Sequence, residues 1–101
     1  MAHRLAAQAT ADLDAIWEYV FTESGNADIA DRIIHSITER IYVLARFPHA
    51  GRSRDDDLGA GRRSFPARDY MIVYRLEGAD VLILRVAHGR RDIKALFGFR
   101  D

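Results

Sequence analysis

The apolar residues of this chain change their spacing near residue 61, and this change limits the folds that it can adopt. Up to that point they recur at intervals of three and four, the spacing of one buried face of an α-helix. Beyond it they alternate with polar residues, as in a strand that buries one of its faces. The spacing therefore predicts helices in the first part of the chain and strands in the second.

The first apolar stripe predicts a helix near residues 10–24. We interpret Thr10 as its N-cap, and Asp12 and Asp14 place negative charge near the positive end of the helix dipole. Gly25 is well placed to end it. The stripe consists of Leu13, Ile16, Trp17, Val20 and Phe21.

A second helix is predicted near residues 27–46, with Asn26 or Asp28 at its cap. It ends before Pro48, because the residue that precedes a proline is disfavoured in the helical region. Its stripe consists of Ala30, Ile33, Ile34, Ile37, Ile41 and Leu44. The short link at residues 24–26 makes the two helices an antiparallel hairpin.

The remaining segments predict loop and sheet. Residues 48–61 are glycine-rich, and we expect a loop in which the three aspartates at 55–57 form a solvated turn. Three strands in a meander follow, near residues 62–67, 70–76 and 81–86, the last two joined by a turn at 77–80. Residues 2–7 fit an edge strand, and residues 92–99 fit either a short helix or a last strand.

These elements predict one α+β domain over residues 1–101. The apolar side of the hairpin should cover one face of a three- to four-stranded antiparallel sheet, with no parallel pair. Trp17, Ile33, Ile37 and Leu44 should face that sheet. Tyr70 and Tyr74 share a strand face with Ile72, so we expect them to pack.

Composition narrows the function classes. The formal net charge is zero, which argues against binding nucleic acid by bulk attraction alone. The charge is nevertheless divided, since residues 1–60 carry ten acidic and six basic residues and residues 61–101 carry five and nine. The chain has no cysteine and no apolar run of roughly 20 residues that could cross a bilayer. We expect a cytoplasmic protein that uses neither metal nor cofactor.

Several stretches together resemble the ParE/RelE toxin superfamily, and its ParE branch in particular. The resemblance covers about residues 5–96 and rests on the ordered set rather than on a single motif. It is carried by Ala11-Asp12-Leu13, Ile16, Tyr19, Leu44, Phe47-Pro48, Gly51-Arg52, Gly61-Arg62-Arg63-Ser64, Tyr70, Ile72-Val73-Tyr74-Arg75, and Ile83 to Asp92.

This resemblance implies a helical hairpin on an antiparallel sheet, in agreement with the apolar spacing. It also implies a toxin of a type II toxin–antitoxin system, with a cognate ParD-like antitoxin that wraps over the toxin. ParE toxins inhibit DNA gyrase, whereas RelE toxins cut messenger RNA on the ribosome. Because the two branches share a scaffold, the fold does not choose between them.

The charged side chains allow two mechanisms. An RNA-cleaving RelE-like site needs an acid, a base and cations. His88 could serve as acid or base, and the cations could be Arg62, Arg63, Arg85, Arg90 and Arg91. The central loop is acidic, however, and the tail offers no tyrosine or histidine. We therefore expect inhibition by binding, with no catalytic residue; a toxin that only binds its antitoxin is a further alternative.

The binding hypothesis assigns residues to two partners. Mixed arginine and aromatic composition is typical of interface hot spots, so the predicted contacts with gyrase are Arg85, His88, Arg90, Arg91, Lys94, Phe97 and Phe99. The predicted contacts with the antitoxin are Trp17, Tyr19, Arg62 and Arg63. Each also has a structural reading: Arg85 could pair with an acid at the sheet margin, His88 could cap backbone groups, and Trp17 could lie in the core.

Overall fold

A computed structural model describes residues 2–89 of the chain. They form a helical hairpin that lies on one face of a single sheet, whose strand order is β1-β5-β4-β3-β2. In chain order the elements are β1 (His3–Leu5), α1 (Ala7–Ser24), α2 (Ala27–Arg46), β2 (Arg52–Ser53), β3 (Arg62–Ala67), β4 (Tyr70–Glu77) and β5 (Asp80–His88).

The hairpin confirms most of the helix predictions. The side chain of Asn26 caps α2 by accepting hydrogen bonds from the amides of Asp28 (2.9 Å) and Ile29 (3.3 Å). Gly25 ends α1 in the left-handed conformation, with φ 65°. The start of α1 was predicted three residues too late, and Thr10 as its N-cap is wrong. The helix begins directly after Ala6, whose amide still bonds to the Ile83 carbonyl of the sheet (2.9 Å).

The meander of β3, β4 and β5 is confirmed, but the sheet has five strands and one parallel pair. His3 pairs with Val81 and Leu5 with Ile83 in parallel, so the expectation of antiparallel pairs throughout is wrong at this edge. A tight turn forces the strands that it joins to be antiparallel. No turn joins β1 to β5, so the local sequence did not fix their relative direction.

The segment at residues 48–61 is more ordered than the predicted loop. Arg52 and Ser53 form β2, which pairs with β3. The following residues fold over the sheet face opposite the helices, where the fully buried Leu58 packs with Val73 and Ala87. The predicted turn is present at residues 55–57, and Asp55 and Asp56 are exposed. Asp55 also accepts the Gly61 amide (2.7 Å), and Asp57 is partly buried because it binds Arg54.

The main core lies between the hairpin and the sheet. Ile37 and Leu44 are fully buried and Ile33 packs at the margin, as predicted, together with Ile41, Ile72, Tyr74, Val81, Ile83 and Val86. Trp17 does not join them, so its prediction as a sheet-facing residue is wrong. It lies beside α2, where its indole N–H donates to Asp31 (2.8 Å) and its ring stacks on Phe21.

A buried tyrosine ties the segment after α2 to the sheet. The Tyr74 hydroxyl donates to the Pro48 carbonyl (2.7 Å) and accepts from the Gly51 amide (2.9 Å). A Cβ atom on Gly51 would stand only 2.8 Å from the Ser64 carbonyl oxygen, so a glycine is needed there. Within residues 2–89, neither helix combines the length and the apolar character that a membrane span requires.

Candidate functional site

The last part of β5 carries Arg85, which the sequence assigns to target binding. Its guanidinium donates two hydrogen bonds to the Asp12 carboxylate of α1, each 2.9 Å long. The same carboxylate accepts the amide of Val86 (2.9 Å). Both side chains are largely buried, and the bond to Asp12 raises the pKa of Arg85. Arg85 therefore pairs with an acid at the sheet margin, as the alternative to target binding predicted.

The two adjacent arginines of β3 are also engaged within the fold. Arg62 donates to the Leu58 carbonyl (2.7 Å). Arg63 donates to the carbonyls of Gly51 (2.6 Å) and His49 (3.2 Å). Both guanidinium groups thus hold the segment between α2 and β3 in place.

His88 lies at the exposed end of β5, beside Tyr70. The two rings meet edge to face, with their centroids 5.5 Å apart. Burial, with a smaller contribution from Asp69 and Tyr19, raises the pKa of Tyr70. A tyrosine with the ordinary pKa of 10.0 already keeps its proton at neutral pH, and the upward shift reinforces this, so Tyr70 is poorly suited to act as a base. Of the predicted target-binding residues, Arg90, Arg91, Lys94, Phe97 and Phe99 lie outside the described residues.

The predicted antitoxin-binding residues do not form one site. Trp17 and Tyr19 are two positions apart on α1, so they point to different sides of the helix. Trp17 faces α2 through Asp31, whereas the Tyr19 side chain is exposed. Arg62 and Arg63 lie on β3, whereas α1 packs mainly on β5 and α2. The sequence spacing alone does not reveal this separation.

The side of α1 next to α2 combines aromatic and acidic residues. Trp17 and Phe21 stack there, with ring centroids 5.1 Å apart. Helical spacing places Asp14 and Glu18 on the same side of α1, and both are exposed. Residues 5–31 contain six acidic residues and no arginine, lysine or histidine. We call Asp14, Trp17, Glu18, Phe21 and Asp31 the acidic aromatic surface.

A second exposed apolar surface, which the sequence analysis missed, lies at the C-terminal end of α2. The side chains of Tyr42, Val43 and Phe47 are 56%, 38% and 60% exposed. The signal was present in the helical spacing, since Tyr42 and Val43 fall opposite the stripe of Ile37, Ile41 and Leu44. It was overlooked because only the buried stripe was used to define the helix.

Comparison with known proteins gives a consistent result. The sequence model of a family described as ParE toxin of type II toxin–antitoxin system, parDE, matches residues 4–93. Toxin ParE3 of Caulobacter vibrioides is 36% identical over 87 residues, which cover 86% of this chain and 85% of that protein. Toxin ParE1 of the same organism is 33% identical over 96 residues, covering 95% and 97%.

Solved structures share the fold. The chromosomal ParDE toxin–antitoxin system of P. aeruginosa contains a chain that superposes with a TM-score of 0.77 at 24% identity, covering 89% of this chain and 97% of that chain. The toxin–antitoxin complex RelBE2 of Mycobacterium tuberculosis contains one with a TM-score of 0.64 at 26% identity, covering 86% and 95%. Both likenesses agree with the helical hairpin on a mostly antiparallel sheet.

Proposed function

We propose that this chain, which belongs to the ParE family of toxins of type II toxin–antitoxin systems, inhibits DNA gyrase by binding it in the cytoplasm and is neutralised by a cognate antitoxin. The proposal has two parts, inhibition without covalent chemistry and neutralisation by a basic antitoxin segment. They rest on different residues, so they can be tested separately.

The first part is supported by the described candidate cations of a nuclease site, because all three of these arginines are bound within the fold. Arg85 is bound by Asp12, and Arg62 and Arg63 are bound by backbone carbonyls. A phosphate in a transition state needs cations aimed at the developing charge. Recruiting these three would require breaking bonds that hold β5 and the segment before β3. Binding through an exposed surface requires no such rearrangement.

Two assays with the purified protein test this part. Supercoiling by purified DNA gyrase should fall as the toxin is added, whereas ribosome-bound messenger RNA should stay intact. His88→Gln should leave gyrase inhibition nearly unchanged, while truncation after Asp92 should abolish it without loss of antitoxin binding. Codon-specific cleavage by the wild type that His88→Gln reduces on the order of 10²–10⁴-fold would instead identify a nuclease. Inactivity in both assays would favour the non-toxic alternative.

The second part concerns the antitoxin. The solved relatives from P. aeruginosa and M. tuberculosis are described as toxin–antitoxin systems, which supports an antitoxin partner here. The acidic aromatic surface offers carboxylates beside stacked rings, and a basic helix with apolar side chains complements both. We therefore propose that the antitoxin contacts Trp17 and its neighbours. An antitoxin that also reaches Tyr19, Arg62 and Arg63 must extend across the hairpin to the sheet.

Charge reversal on α1 tests this assignment. Glu18→Lys should weaken binding of the purified antitoxin by at least about tenfold, because it places a like charge against the basic segment. Asp56→Lys is the matched control, since Asp56 is an exposed acid on the opposite sheet face. Antitoxin affinity should be measured by calorimetry at low salt. Equal affinities of the two variants would mean that the acidic aromatic surface is not part of the antitoxin interface.

A further inference from the structure

The C-terminal end of α2 presents apolar side chains to solvent on a continuous face. Tyr42, Val43 and Phe47 lie within six residues, and their exposed fractions run from 38% to 60%. Single exposed apolar residues are common on protein surfaces, but a contiguous group of this kind marks an interaction site. The fully buried residues of α2 point to the opposite side of the helix, and the Tyr42 ring meets the His3 ring of β1 edge to face, with centroids 5.3 Å apart.

This face is basic. The Arg46 guanidinium lies 5.8 Å from the centre of the Phe47 ring, and that of Arg40 lies 5.7 Å from the Phe65 ring of β3. Residues 40–53 contain three arginines and no acidic residue, whereas the next arginine, Arg54, is bound by Asp57. Helical spacing places one acid, Glu39, on the same side of α2 as Tyr42 and Val43, and its carboxylate lies 2.8 Å from the imidazole of His35. We call Arg40, Tyr42, Val43, Arg46 and Phe47 the basic aromatic surface.

The two surfaces have opposite charge and lie towards opposite ends of the hairpin. Because α2 has 20 residues, it is about 30 Å long. A basic segment is attracted to the acidic aromatic surface near the tip and repelled by Arg40 and Arg46 at the other end. A segment that binds the C-terminal end of α2 should therefore be acidic. The surfaces fit two different ligands rather than one.

We propose that the basic aromatic surface binds an acidic segment of the protein target that also carries apolar side chains. This inference rests on the proposed function and names a surface that inhibition would require in addition to the residues after Asp92. Guanidinium groups bind carboxylates in pairs of parallel hydrogen bonds, and the Phe47 and Tyr42 rings supply apolar contact area. Arginine and aromatic residues together are the composition of interface hot spots. The target-binding residues predicted from the sequence, by contrast, begin at Arg85.

Substitutions of one arginine and one aromatic residue of the basic aromatic surface test the proposal, with purified DNA gyrase as the probe. Arg46→Glu and Phe47→Ser should each raise the toxin concentration needed for half-inhibition of supercoiling by about tenfold or more. Arg32→Glu is the matched control, because it reverses an exposed arginine on the same helix outside the surface. Wild-type inhibition should weaken as salt is raised, and Arg46→Glu should be less sensitive to salt.

Antitoxin binding and thermal unfolding of the same variants supply the second readout. Both should remain close to those of the wild type, because the substituted side chains are exposed and lie away from the acidic aromatic surface. Unchanged gyrase inhibition by Arg46→Glu and Phe47→Ser would overturn the proposal. So would an equal loss of antitoxin affinity, or a wild-type dimer in sedimentation that Arg46→Glu dissociates, since a second copy would then occupy the surface.

Failure of the proposed function can be separated from failure of this inference. If wild-type protein does not inhibit gyrase, the gyrase proposal is wrong, and growth inhibition in cells becomes the readout. Loss of growth inhibition by Arg46→Glu but not by Arg32→Glu, at equal protein levels, would then support the surface with a different target. Equal growth inhibition by both variants would rule the surface out.

Discussion

Asp12 of α1 and Arg85 of β5 form a two-bonded ion pair between residues 73 positions apart in the chain. The Asp12 carboxylate also accepts the Val86 amide, which lies on β5 beyond its last pair with β1. The Asp12 side chain therefore supplies a hydrogen-bond acceptor to the edge of β5 at a point that β1 does not reach. It joins the first helix to the last described strand.

We expect Asp12→Ala to lower the free energy of unfolding by roughly 2–3 kcal/mol, because it leaves a largely buried guanidinium and an amide without their acceptor. Asp14→Ala removes an equal charge from an exposed position of the same helix and should cost much less. Urea denaturation of both variants measures the difference. Equal midpoints would mean that the ion pair does not stabilise the native state.

Ile37→Ala tests the interface between α2 and the sheet. Ile37 is fully buried there, and truncation of a buried isoleucine costs about 2–5 kcal/mol. In a chain of 101 residues this is a large fraction of the total stability. Val43→Ala, on the exposed side of α2, is the control. Thermal denaturation should show a large decrease for the first variant and a small one for the second.

Tyr74→Phe should remove two hydrogen bonds without changing the shape of the core. The Gly51 amide and the Pro48 carbonyl would lose their partner, at a cost of about 1–3 kcal/mol. Hydrogen exchange of the Gly51 amide should accelerate more than that of amides in α1. Tyr42→Phe alters an exposed hydroxyl and serves as the control. An unchanged exchange rate at Gly51 would contradict the assigned bond.

Glu77 at the end of β4 makes the stability of the fold depend on pH. Bonds from Arg75, and the charge of Arg75 and Arg4, lower its pKa from the ordinary value of 4.5. A lowered pKa in the folded state means that its contribution is present above 4.5 and is lost as the pH falls through the folded value. The contribution is small because the group is solvent-accessible.

Melting temperatures of the wild type and Glu77→Gln, measured from neutral to strongly acidic pH, test this dependence. The wild type should be slightly more stable at neutral pH, and the difference should disappear below the lowered pKa. High salt should reduce the difference as well. A difference that grows on acidification would have the wrong sign for a carboxylate held in its charged form.

The helices and the central meander could be predicted because each carries its own periodicity. Ile37 and Leu44 repeat at helical spacing, and the strands around Ile72 and Ile83 alternate, so local pattern and tertiary burial agree. Asn26 and Gly25 mark the link between the helices for equally local reasons, a side-chain cap and a left-handed backbone. In such positions the short-range preference and the fold require the same residue.

The features that were missed depend on contacts between distant residues. Nothing near Asp12 in the chain indicates that its partner is Arg85, and nothing near His3 indicates that it pairs in parallel with Val81. Trp17 fits the apolar stripe of α1, yet its indole N–H needs an acceptor, and Asp31 of α2 supplies one. The predicted antitoxin-binding residues do not form one site for the same reason. The spacing along α1 shows which residues share a side of the helix but does not show which element packs against that side.

The parallel pair of β1 and β5 has a consequence for synthesis of the protein. A nascent chain leaves the ribosome with its N-terminus first, so β1 and the helical hairpin emerge long before β5. The apolar side chains of α2 can pack on the sheet only after β4 and β5 have been synthesised. Contacts between such distant segments form slowly. During translation the hairpin therefore exposes apolar residues that the finished protein buries, and this exposure makes the nascent chain prone to aggregation.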